Sequence, residues 1–232
     1  NYHKVSFVPG EEQLHALTAQ LRRIGARYDD RYRYKADGVI RVDSMFGLEV
    51  VLLETSSGFG HGDQTKASFD FHKAMFGLLA MLKSVADQFE GASLGSFRQF
   101  KVYFVHAAGN VCRTWSLKYN NNAYILCRED KVTMHQNFKE KNDFLIPLCN
   151  YLNNLKEMII QSVSHLDVLE DEHKKSNRLS RYGKPINKQL LLSNIITPSI
   201  LRLTQKYDSG GMADQNPGSS PTYDGIYSTA FD

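Results

Sequence analysis

At 232 residues, 42% hydrophobic and 23% charged, the chain has the composition of a folded globular protein with one sizeable core. No apolar run approaches the roughly 20 residues of a membrane span, and the start NYHKVSFVPGEEQ carries no apolar leader. The net charge of +3 is uneven: residues 208–232 hold four acids and no Lys or Arg, so the body without them carries +7 and is compatible with a polyanionic partner.

In chain order, residues 11–24 read as a helix, with Leu14, Leu17, Leu21 and Ile24 at helical spacing and Glu11 and Glu12 in its first turn. The polar, aromatic stretch RYDDRYRYK leads into a strand at 39–42 and a second at 48–54, joined by the short turn DSMFG as a hairpin. A glycine-bearing loop, SSGFGHGD, precedes a long helix over about 65–89. Its stripe of Phe71, Met75, Leu78, Leu82, Val85 and Phe89 must face a core, and Lys66, Asp70, Lys73 and Gly77 fall on nearly the opposite side. Two strands flank the turn AGN at 108–110, and AYILCREDKVTM continues as a strand or strand pair. Helical spacing returns over 143–166, a charge run follows at 170–175, and an apolar segment occupies 186–206. The expected architecture is α/β, a mixed central sheet flanked by helices, with residues 1–207 as one domain (core about 10–166, helical extension 167–207) and 208–232 as a flexible acidic tail.

Asp37 and Glu54 carry the chemistry. Asp37 opens one strand, and Glu54 closes the apolar run Val50–Leu53, where a carboxylate is costly unless a positive charge meets it. Two acids on adjacent strands are a minimal site for a hard divalent ion. The segments ADG (Ala36–Gly38) and ETS (Glu54–Ser56), sixteen residues lying between Asp37 and Glu54, resemble the PD-(D/E)XK motif of the restriction-endonuclease-like superfamily. The following helix and the Trp-bearing strand pair KVYFVHAAGNVCRTWSLKY match that family's usual sequel, and the chain is also similar to fungal proteins with such a nuclease-like domain. The resemblance covers about residues 10–130. It implies a restriction-endonuclease-like core with extra C-terminal helices, Mg²⁺ or Mn²⁺ held by Asp37, Glu54 and the Thr55 carbonyl, and phosphodiester hydrolysis on DNA or RNA. Ser56 departs from the pattern, since it stands where the family has its catalytic Lys. The family's lysine can migrate to the next helix, which makes Lys66 and Lys73 its candidate replacements; without such a repair the domain binds and does not cut.

Other residues point less sharply. Arg27, Arg31, Arg33 and Lys35, interleaved with Tyr28, Tyr32 and Tyr34, suit a nucleic-acid backbone and unstacked bases. Asp43 is an alternative to Asp37, and Glu11 or Glu12 could supply a further acid. Glu49, five residues before Glu54, falls on the opposite strand face by simple alternation. The plainer reading of Lys66, Asp70 and Lys73 is a solvated face with local ion pairs. Cys112, Cys127 and Cys149 are an odd set without CxxC spacing, expected to be buried free thiols of an intracellular, cytoplasmic or nuclear protein. The start without Met and the tail's composition lead us to expect a domain, nuclease or interaction module, cut from a longer chain.

Overall fold

The computed structural model describes residues 3–23, 34–135, 137–182 and 188–200. Arg27, Arg31, Arg33 and the 208–232 tail lie outside them. The elements are β1 (Val5–Gln13), α1 (His15–Arg23), β2 (Lys35–Val42), β3 (Leu48–Ser56), α2 (Gln64–Gln88), α3 (Leu94–Phe97), β4 (Val102–Ala108), β5 (Val111–Asn120), β6 (Ala123–Thr133), α4 (Lys141–Arg181) and α5 (Leu192–Ile195). The six strands form one sheet in chain order, antiparallel throughout except for the parallel pair β3–β4. A parallel pair needs a crossover, and α2 with α3 supplies it.

Helices cover both faces. On β5, Trp115 meets Phe71 of α2 with ring centroids 5.3 Å apart, whereas the neighbouring Thr114 is bonded to Tyr151 of α4 at 2.6 Å. Successive strand residues point to opposite faces, so α2 and α4 pack on opposite sides. The mixed α/β sheet flanked by helices is therefore as expected. β3 is its centre, with Val50, Val51 and Leu52 almost wholly buried.

Several boundaries differ from the sequence reading. The chain begins with a strand, not a helix: Glu11 and Glu12 lie in β1, and the helix starts only at His15. β1 is an edge strand with a register shift between Pro9 and Glu12, a place where Pro is tolerated. The helix expected at 143–166 runs without a break to Arg181, through the supposed core boundary and the 170–175 charge run. Cys127 and Cys149 are exposed, not buried, because β6 is the other edge and the first half of α4 is little covered. The Lys66–Asp70–Lys73–Gly77 side of α2 forms the expected local ion pair, Lys66 with Asp70 at 2.9 Å, but only its Lys66 end is solvated. Asp70 and Gly77 are buried, since α2 is covered by the sheet and by α1 around most of its girth.

Glu49 requires a further correction. A bulge in β3 lets Val51 pair with Ile40 while Glu49 pairs with Arg41, so Val50 is an extra residue. The extra residue inverts the alternation, and Glu49 faces the same side as Glu54. Its carboxylate accepts from the backbone N–H groups of His15 and Ala16, both at 2.8 Å, and from Arg41 Nη2 at 3.1 Å. A buried acid on β3 thus supplies the negative charge that the N-terminus of α1 favours. Glu49→Ala strands those N–H groups and weakens the hold on Arg41, so it should lower stability to urea by about 3 kcal/mol, and hydrogen exchange should show α1 fraying first.

Candidate functional site

The chain leaves β3 at Ser56, beside the end of its parallel neighbour β4, and turns through residues 57–63 into α2. Loops at the carboxyl ends of parallel strands are where open α/β sheets place their ligands. Here the last residues of β3 meet the first three turns of α2. Asp63 caps that helix, its Oδ1 accepting from the Lys66 backbone N–H at 2.9 Å, and so fixes where Lys66 and Lys73 project.

Both lysines reach back to the strand. Lys73 Nζ donates to Glu54 Oε1 at 3.0 Å and to the Lys35 carbonyl at 2.8 Å, and it lies 4.3 Å from the centre of the Tyr34 ring. Tyr34 also donates its hydroxyl to Glu54 Oε1 at 3.0 Å. Lys66 Nζ donates to the Thr55 carbonyl at 2.7 Å and to Asp70 Oδ2 at 2.9 Å. Asp37 sits beside them, its Oδ2 accepting from the Thr55 N–H at 2.6 Å. The sequence-derived set of Asp37, Glu54, Thr55, Ser56, Lys66 and Lys73 is therefore assembled in one place. Lys35 borders it through its carbonyl, while its ammonium stands 3.6 Å from Glu11. Asp43 does not join: it lies at the hairpin tip and accepts from Ser6 Oγ at 2.8 Å. His61 is exposed on the glycine loop, and His72 bonds the Ser68 carbonyl.

Glu54 is 3% exposed, and burial pushes its carboxyl up to about 7; Lys73 opposes that shift, and Asp70 and Asp37 add to it. Burial, with Glu54 beside it, raises the Tyr34 phenol well above its ordinary value. Among the described residues, three carboxylates (Asp37, Glu54, Asp70) face two ammonium groups (Lys66, Lys73), one positive charge short when all are ionised.

Ser56 is enclosed. Its Oγ donates to Asp70 Oδ2 at 2.7 Å and contacts His106 Nε2 at 2.8 Å. A hydroxyl has one proton, so His106 must donate through Nε2, a tautomer assigned from this network. Burial, aided by Arg113 and Lys66 and opposed by Asp70, lowers the imidazole to about 4. The ring is thus neutral, and its Nδ1 has no partner among the described residues. Ser56, Asp70 and His106 are not a nucleophile relay. The carboxylate holds the serine and not the far side of the imidazole, and the imidazole donates where a base must accept.

The sequence does not mark Asp70 or His106 as site residues, and it offers Tyr34 only as an aromatic beside the basic stretch. Asp70 was visible on the lysine stripe. His106 enters only through the β3–β4 register, which pairs it with Glu54. Among the described residues no three His, Cys, Asp or Glu side chains are grouped to hold an ion, and no helix is long and apolar enough to cross a membrane. Comparison with known proteins finds no matching family model, curated protein or solved structure.

The two pKa shifts act in opposite directions on stability. His106, depressed below its ordinary 6.5, contributes stability that is complete above that value and lost as pH falls towards 4. Glu54, raised above its ordinary 4.5, contributes stability that is complete below that value and lost as pH rises through 7. Glu54→Gln removes only the second dependence. Relative to wild type, the variant should therefore gain about 3 kcal/mol between pH 4 and pH 8 in urea unfolding, and the His106 ring signals in NMR should titrate near 4 in the wild type.

Proposed function

We propose that the chain is a divergent restriction-endonuclease-like domain that acts on nucleic acid at the Asp37–Glu54 end of its sheet, hydrolysing phosphodiester bonds. One observation carries this reading: the helix lysines stand on the strand residues where the motif's own Lys is missing, Lys73 on Glu54 and Lys66 on the Thr55 carbonyl. A positive charge beside the second acid is what the ExK arrangement supplies, and here α2 delivers it.

Hard oxygen donors and a shortage of positive charge suit Mg²⁺ or Mn²⁺, and Asp37, Glu54 and the Thr55 carbonyl are the residues to hold it. The chemistry supplied by such a bound ion is a lowered pKa for a water and a polarised phosphate. The chain's own contribution is charge and position. Lys73, with a side chain 19% exposed, fixes the Glu54 carboxylate, while Lys66, 43% exposed, presents an ammonium to an incoming phosphate. A nucleic-acid substrate and three free thiols fit a nuclear or cytoplasmic setting.

A second reading, a nuclease-fold module that binds without cutting, is favoured by Ser56, which is 1% exposed and brings no charge. Labelled DNA and RNA incubated with the protein and Mn²⁺ separate the two. Cleavage is expected, and Glu54→Ala and Lys73→Ala should each slow it at least about 100-fold, the scale of losing one charge-stabilising group. Undiminished cleavage by Glu54→Ala overturns the site assignment. Oligonucleotide binding without cleavage selects the module.

A further inference from the structure

The two ammonium groups differ in how they are held. Lys73 is closed in by the Lys35 carbonyl, Glu54 and the Tyr34 ring. Lys66 has two bonds, to the Thr55 carbonyl at 2.7 Å and Asp70 at 2.9 Å, and a side chain 43% exposed. It stands in the first turn of α2, so a change of side-chain rotamer alone carries its ammonium out to solvent without moving the helix.

The Thr55 carbonyl is also the backbone atom assigned to a divalent ion. An ion takes an oxygen ligand at about 2.1 Å for Mg²⁺, and an ammonium already 2.7 Å from that oxygen would lie within a few ångströms of it, where like charges repel strongly. The two cations exclude each other. We propose that Lys66 is the resident cation of this position and gates it: a divalent ion enters only as Lys66 leaves the Thr55 carbonyl. Asp70 is then the positioning residue, holding Lys66 on the carbonyl at rest, and Ser56, which donates to the same carboxylate oxygen, fixes Asp70. This inference rests on the nuclease-like reading for its ligand set alone.

The test is a Mn²⁺ titration of the full chain without nucleic acid, with free Mn²⁺ followed by electron paramagnetic resonance. Lys66→Met should bind at least tenfold more tightly than wild type. Lys66→Gln, which keeps a donor for the carbonyl but no charge, should do the same, so the result survives poor folding of either variant. Lys66→Arg should bind as weakly as wild type, and adding Glu54→Gln to Lys66→Met should abolish the gain. Equal affinity in wild type, Met and Gln variants overturns the gate, as does an Arg variant that binds like Met. The outcomes are independent of catalysis. Cleavage by wild type with no affinity change refutes the gate alone, and a tenfold gain in a protein that never cleaves refutes only the nuclease.

Discussion

The Glu54 carboxylate is buried at the end of the central strand, and this constraint organises the rest of the site. An ionised acid in that position is tolerable only with a charged partner and further hydrogen bonds. Lys73 provides the partner, but only because α2 lies close against β3. One turn after Lys73, Gly77 permits the approach: a Cβ there would come within 2.9 Å of both Leu14 Cδ2 and Leu52 Cδ2. The absence of a side chain at Gly77 and the presence of an ammonium at Lys73 belong to one arrangement, a helix near enough to the sheet for its lysine to reach the strand's acid.

From this pair the contacts spread outward in both directions. Tyr34 touches both members, through its hydroxyl on Glu54 and its ring beneath Lys73. The Lys35 carbonyl holds the same ammonium, so the first residues of β2 are tied to α2 as well as to β3. On the other side, Asp70, Ser56 and His106 form a buried chain of hydrogen bonds that Lys66 closes. All of these groups lie where β3 ends and α2 begins. The two lysines nearly balance the acids; burial is what chiefly raises the Glu54 carboxyl, against the pull of Lys73, with Asp70 and Asp37 adding to the rise.

The sequence made much of this visible, and the failures have physical causes. Buried strands and one long apolar stripe gave β2, β3 and α2, and with them Asp37, Glu54 and both lysines. β1 was hidden because an exposed edge strand shows weak alternation, and because two acids before an apolar helical pattern imitate a helix start. Counting by twos puts Glu49 on the wrong face because it fails across a bulge, and nothing in the run LEVVLL marks one. Asp70 lies on the lysine stripe but looks solvated there, since a single helix wheel cannot reveal that α1 covers the second side. His106 could not be found locally: its place depends on a parallel register set across an intervening 25-residue helix.

Ser56 shows why the positive charge comes from the helix. Its side chain points into the space between Asp70 and His106, where all three residues are at most 5% exposed. A lysine there would have to bury its whole stem and its ammonium next to an imidazole already unable to take up a proton at neutral pH. A lysine borne on α2 approaches from the rim instead, laying its apolar stem along the helix and bringing only its charged tip to the strand. A strand lysine is fixed by the pleat, whereas the Lys66 side chain, in the first turn of α2, is 43% exposed and borders solvent. With Ser56 enclosed between Asp70 and His106, the positive charge at this end of β3 is carried by α2, on Lys66 and Lys73.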